Sequence, residues 1–210
     1  MNVDLNNFKP PYVLYGNGEL INHSLPLKKL KNSGTIIALD GGANKLIKLG
    51  FKPHIILGDL DSIKKNSSTK NSLIIPLKNQ NKSDLEKGVE WCILNNIENI
   101  SLMGFSGLRE DHFLTSFFIL KNYFKQIELI YFTNYSKIEH LKGEKIFKSY
   151  PGQIISLISI DIVSNLQTDG LKYNLHNESL ESVTHGISNI ALKNYFFVKS
   201  KNSVLVFQNY

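Results

Sequence analysis

Asp59 and Asp61 stand one residue apart in IILGDLDSI (55–63), where a short apolar run ends. In extended chain, residues i and i+2 leave the same face, roughly 6–7 Å apart at their Cα atoms. Two carboxylates so placed repel each other unless something positive lies between them. Both can reach one hard cation such as Mg²⁺, or flank a pair of them. The plainer alternative is two solvated loop acids, or a helix cap.

The same kind of residue recurs where other apolar runs end. YVLY (12–15) leads into Gly16-Asn17-Gly18, and TIIAL (35–39) into Asp40-Gly41-Gly42. LIIPL (73–77) leads through NQNKSD to Asp84, and NISLM (99–103) into GFSGLREDH, with Arg109, Asp111 and His112. Asp40-Gly41-Gly42 also reads as a tight turn into a helix, since Asp caps well and Gly turns freely. Gly16-Asn17-Gly18 reads more readily as a turn than as a phosphate cradle. Asp84 suits the first turn of a helix through the dipole. Arg109 is the only arginine in a lysine-rich chain, which points to bidentate contact with phosphate. Asp111 offers a carboxylate for base work or substrate binding. His112, one residue into a helix, reads as a packed or capping side chain. Acids for Mg²⁺, helix N-termini for phosphates and an arginine are the equipment of phosphoryl or pyrophosphoryl transfer from a nucleotide. There is no GxxxxGK[ST] motif, and no GxGxxG follows the first apolar run.

The elements that must position these groups change character along the chain. Up to about residue 132, apolar runs alternate with helix-like segments; two further runs are HIILG (54–58) and ELIYF (128–132). Residues 43–49 form a helix ending at Gly50, a good C-terminal stop. Ser83 and Glu86 make a capping box before LEKGVEWCILNN, whose Leu85, Val89, Cys92 and Ile93 share one face. DHFLTSFFILKNYF is a third helix, and its aromatics predict that it is well buried. Residues 19–31 and 62–71 read as loops or short helices. Continuous apolar strands alternating with helices mean a parallel sheet covered on both faces. After about residue 136 the segments read as strands with short turns, and KSKNS between FFV and VLVF predicts a hairpin. The fold class is therefore α/β, with a smaller all-β domain after it. The boundary lies near TNYSK (133–137), giving residues 1–136 and 137–210.

The chain has 210 residues, of which 42% are hydrophobic and 20% charged, ordinary for a globular protein. Its net charge of 24 − 18 = +6 comes from scattered lysines, a surface able to draw in anionic substrates. Nothing beyond charge favours nucleic acid. Cys92 alone cannot form an internal disulfide or a cysteine-based zinc site, which suits a cytoplasmic setting. No apolar run approaches the roughly 18 residues needed to span a bilayer.

The sequence resembles the thiamine pyrophosphokinase family. The resemblance is carried by DGGANKL (40–46), GDLDSI (58–63), NQNKSDLEKGV (79–89), GFSGLREDHFL (104–114), TDGLKYNL (168–175) and GISN (186–189), in family order. It implies an N-terminal Rossmann-like α/β domain, a C-terminal β-sandwich, and a homodimer with active sites at the subunit interface. It implies Mg²⁺-dependent transfer of the β,γ-pyrophosphoryl group of ATP to thiamine, giving thiamine diphosphate and AMP. By position, Asp59, Asp61 and Asp84 would hold Mg²⁺ and the triphosphate, with Asp40, Gly41, Gly42 and Asn44 beside them. Gln80, Ser83 and Lys87 would line the nucleotide or thiamine side. Arg109 would meet phosphate, and Asp111 the thiamine hydroxyl. Tyr173, Ser188 and Asn189 would contact the thiamine rings from the partner subunit. The chain departs from the family pattern at Asn79, Leu108, Ser116 and Tyr173, where the family commonly has Asp, Gly, Asn and Trp. Two competing readings are pyrophosphoryl transfer to another alcohol, such as a pterin, and a non-catalytic nucleotide- or thiamine-binding regulator.

Overall fold

The structure is a computed structural model that describes residues 7–59, 69, 71–77, 79, 81–159, 165–180, 182 and 184–210. The chain divides into two compact units, one ending at Asn134 and the other beginning at Tyr135.

In the first unit, six strands among the described residues form a parallel sheet. They are β1 (Tyr12–Tyr15), β2 (Thr35–Leu39), β3 (Ile55–Gly58), β4 (Leu73–Pro76), β5 (Asn99–Met103) and β6 (Glu128–Phe132). Each lies on or within one residue of an apolar run identified in the sequence. Every residue of β2 and β3 is buried, as a sheet covered on both faces requires. Pro76 is tolerated because β4 is an edge strand, where a missing N–H costs no ladder bond.

The helices are α1 (Ser24–Lys31), α2 (Gly42–Lys48), α3 (Asp84–Leu94) and α4 (Glu110–Tyr123). Helix α1 resolves the stretch 19–31 that the sequence leaves open between loop and helix; 62–71 is mostly outside the described residues. The start of α1 lacks the acid that would have marked it, and the His23 ring accepts from the Leu25 N–H instead. Half of the predicted capping box forms on α3: Ser83 Oγ accepts from the Glu86 N–H. The Glu86 carboxylate turns to α4 and accepts from the Tyr123 hydroxyl at 2.9 Å.

Helix α4 is less buried than its aromatics suggest. Ser116, Ile119 and Leu120 are buried, while Leu114 is 58% and Phe118 49% exposed. Phe113 and Phe117 pack edge-on or tilted against Tyr131 and take the inner face. Leu114 and Phe118, four residues apart, are left on the outer one.

Strand order decides where a ligand can go. The sheet runs β6-β5-β1-β2-β3-β4, so the order in which strands are added reverses between β1 and β5. In open parallel sheets the crevice outside the carboxyl ends at such a reversal is the binding place.

The second unit is antiparallel. It contains β7 (Ser136–Lys148), β8 (Ile154–Ser159), β9 (Leu166–Asp169), β10 (His176–Glu178), β11 (Asn189–Ile190) and β12 (Tyr195–Asn209). The predicted KSKNS hairpin is absent. β12 runs through that stretch as one strand paired to β7, with a shift in register between Ser200 and Val204. Ser200 Oγ donates to the Asn202 carbonyl and so holds a bulge where a turn was expected. Phe147 and Phe196 stack with centroids 5.0 Å apart in a core shared with Leu157, Val198 and Val206. Such a pair contributes about 0.5–1.5 kcal/mol beyond its area.

Candidate functional site

A cavity of about 450 Å³ opens at the reversal point of the parallel sheet. Its lining includes Gly16, Asn17 and Gly18 after β1, Leu39 at the end of β2, and Ser83 and Asp84 at the start of α3. Phe105, Gly107, Leu108, Arg109, Asp111 and His112 line it as well. The size suits a small ligand. His112 is an exposed lining residue here and is not packed in the core, a correction to its sequence reading.

The glycine loop does not cradle phosphate with its amides, because most of them are used. Gly16 N–H donates to the Met103 carbonyl at 2.9 Å, Gly18 N–H to Gly104 at 2.5 Å and Glu19 N–H to Ser106 at 2.7 Å. The loops after β1 and β5 thus continue the ladder of the sheet. Lys45 Nζ donates to the Asn17 carbonyl at 2.7 Å and to that of Gly18. Burial holds the Lys45 ammonium below its ordinary pKa.

Asp40 and Asp59 sit together one and two strands away. The β2–β3 register pairs Leu39 with Leu57, which places Asp40 opposite Gly58. Asp40 is 8% exposed and has φ +40°, and its carboxylate lies over the Gly58 Cα. Gly58 has φ +155°, and any Cβ there would overlap that carboxylate. Asp59 follows at the exposed end of β3. Asp61 and Gln80 lie outside the described residues. Asp84 pairs with Lys87 at 2.7 Å; Lys87 is only 11% exposed, a cation turned inward beside the acid. Gly41 caps α2, Gly42 packs against the Tyr15 and Gly16 carbonyls, and the half-buried Asn44 donates its N–H to Gly41. Among the described residues no three acids or histidines converge as a metal cage. Mg²⁺ does not need one: it commonly takes one or two carboxylates and completes its shell with substrate phosphates and water. Asp40, Asp59 and Asp84 are hard-oxygen donors of that kind.

Arg109 and Asp111 grip each other. Nε meets Oδ1 at 3.0 Å and a terminal nitrogen meets Oδ2 at 2.5 Å. The Arg109 hydrogen bond, with a smaller contribution from the His112 N–H, holds the Asp111 carboxyl at about 2. A depressed carboxyl keeps its bond above the ordinary value and loses it as pH falls through its own. Carbon NMR titration should give an Asp111 midpoint near 2 in the wild type. In Arg109→Gln it should return toward about 3.9. A wild-type midpoint at the ordinary value would refute the pairing.

In the second unit, a cavity of about 250 Å³ is lined by Tyr173, Asn189, His185 and neighbouring apolar residues. Asn189 is committed to the backbone of Tyr173, accepting from its N–H at 3.1 Å and donating to its carbonyl at 2.7 Å. Ser188 is left-handed, at φ +59°, and its N–H donates to Ser156 Oγ. The Tyr173 ring already faces a cation: Lys172 Nζ lies 5.3 Å from its centroid.

Sequence reasoning missed Glu19 and Ser106, joined across 87 positions by a 2.9 Å side-chain bond. The one local signal was a charged residue placed directly after Gly16-Asn17-Gly18.

Comparison with known proteins matches both units. The family model described as thiamin pyrophosphokinase, catalytic domain, matches residues 27–131. The one described as thiamin pyrophosphokinase, substrate-binding domain, matches 139–207. Thiamin pyrophosphokinase 1 of Caenorhabditis elegans is 38% identical over 89 residues, 38% of this chain and 37% of that protein. The chain thus spans little more than a third of this curated relative. The fold is shared with thiamine pyrophosphokinase of Bacillus subtilis (TM-score 0.79, 22% identity, 94% of this chain and 97% of that one). It is shared equally with thiamin pyrophosphokinase from Candida albicans (TM-score 0.80, 21% identity, 94% and 88%). With a catalytic-domain match over its first unit and a substrate-binding-domain match over its second, this chain belongs to the thiamin pyrophosphokinase family.

Proposed function

We propose that the protein transfers the β,γ-pyrophosphoryl group of ATP to the hydroxyl of thiamine, giving thiamine diphosphate and AMP. The observation that carries this reading is the cavity at the sheet reversal, which gathers Arg109, Asp111, Ser83 and Asp84. Asp40 and Asp59 stand at the adjoining strand ends. Arg109 binds the transferred phosphates, exchanging its bond to Asp111 for a stronger anionic partner. Asp111 then accepts from the thiamine hydroxyl and orients it. Even freed of Arg109, an ordinary carboxyl is a poor base at neutral pH, and a loose phosphoryl transition state asks little of one. The α3 N-terminus, capped by Ser83, favours negative charge beside Asp84. Asp59, Asp61 and Asp84 would hold Mg²⁺, with Asp40 supporting them. When bound, the ion supplies charge neutralisation for the triphosphate. Gln80 and Lys87 belong to the nucleotide side.

The parallel sheet of the first unit and the antiparallel strands of the second support the family reading of a Rossmann-like domain and a β-sandwich; the homodimer is proposed from the family resemblance. The exposed Leu114 and Phe118 on α4 supply an apolar face for a second copy. Tyr173, Ser188 and Asn189 of a partner would then receive the thiamine rings.

The test is AMP formation from Mg²⁺ and ATP with and without thiamine. AMP that rises only with thiamine supports the proposal. AMP that rises instead with pterin-like alcohols moves the substrate, and no AMP with any alcohol leaves a binder. Asp61→Asn should remove turnover.

A further inference from the structure

The direction of Arg109 is set by an unusual turn. Gly107 and Leu108 are both left-handed, with φ +68° and +67°. The Arg109 N–H closes back on the Gly107 carbonyl at 2.8 Å. Glycine adopts this conformation freely, but leucine keeps it only where the surroundings over-determine it. The Leu108 side chain is 74% exposed and cannot supply that hold itself.

Glu19 is the residue placed to supply it. Its N–H donates to the Ser106 carbonyl at 2.7 Å, and its carboxylate accepts from Ser106 Oγ at 2.9 Å. Its side chain also covers Gly107 so closely that a Cβ there would lie 3.0 Å from Glu19 Cβ. Backbone and hydroxyl thus bind Ser106, just before the turn, and packing covers Gly107, its first residue. From beneath, Phe105 meets the buried Tyr131 ring edge-on at 6.4 Å, so the loop cannot retreat into the core.

We propose that Glu19 is a positioning residue that holds the Gly107–Leu108 turn left-handed and thereby aims Arg109 into the cavity. The consequence for turnover rests on the phosphate role of Arg109 proposed above. The hold is a hydrogen bond and a packed stem, so it needs an acceptor oxygen at position 19 and not a charge.

Glu19→Ala should lower kcat/KM for ATP by about ten- to hundredfold, the range for a misplaced binding group. Glu19→Gln keeps an acceptor for Ser106 Oγ and should stay within about twofold of wild type on the same grounds. In an Arg109→Ala background, Glu19→Ala should cost nothing further, because residues acting through one another are not additive. Hydrogen exchange of the 107–109 amides should speed up about tenfold in Glu19→Ala and not in Glu19→Gln. Losses that multiply in the double variant, or unchanged exchange in Glu19→Ala, overturn the inference. If wild-type protein makes no AMP from ATP and thiamine, the functional reading fails; amide exchange still decides whether Glu19 holds the turn.

Discussion

On the proposed function, Asp59→Asn should lower AMP formation by about a hundredfold or more while leaving the fold intact. The residue follows β3 directly and is exposed, so an isosteric amide should change stability by no more than about 0.5 kcal/mol. What is lost is charge. A pyrophosphate-handling edge works by placing fixed negative donors where a cation must sit, and removing one oriented electrostatic partner costs roughly 10²–10³ in turnover. The remaining acids still attract the ion weakly, so the deficit should shrink as Mg²⁺ is raised. The measurement is AMP release across a Mg²⁺ titration, with thermal unfolding as the control for folding. A variant within about threefold of wild type at every Mg²⁺ concentration would remove Asp59 from the proposed ligand set.

Gly58→Ala should be damaging twice over. A φ of +155° belongs to a region that glycine alone occupies readily, at a cost of about 1–3 kcal/mol for any other residue. A methyl at this position would also overlap the Asp40 carboxylate, which is buried and left-handed and has little room to yield. Together these should destabilise the protein by about 3 kcal/mol. Turnover should fall with it, because the displaced Asp40 adjoins Asp59. Gly50→Ala isolates the backbone contribution: φ is +82°, and nothing lies within 4 Å of the added atom. It should cost about 1 kcal/mol. Chemical denaturation of both variants checks the difference, and equal losses would mean that overlap with Asp40 contributes nothing.

Much of this site could be read without coordinates. Apolar runs of four or five residues marked every strand of the parallel sheet, because strands buried on both faces cannot alternate. Ser83 and Gly50 marked helix ends through local capping chemistry. Acids after successive runs marked one edge as the working edge. The misreadings came from the same local signals. The polar KSKNS stretch looks like a turn, yet β7 is long enough to pair with β12 on both sides of it, and the sheet absorbs the interruption as a bulge. The aromatics of α4 look like core, but only one face of a helix can pack inward, and Phe118 falls on the other.

The sequence by itself determined which residues occupy the strand ends and which chemistry they can support, since both follow from residue type and from spacing within a few positions. Tertiary structure alone decided which of those ends meet. By placing β1 between β2 and β5, it brought Glu19 against Ser106, 87 residues away, and turned Gly16-Asn17-Gly18 from a candidate phosphate cradle into an extension of the ladder. It also buried Asp40 over Gly58. Contacts of this kind depend on strand order and side-chain direction, which sequence periodicity does not carry.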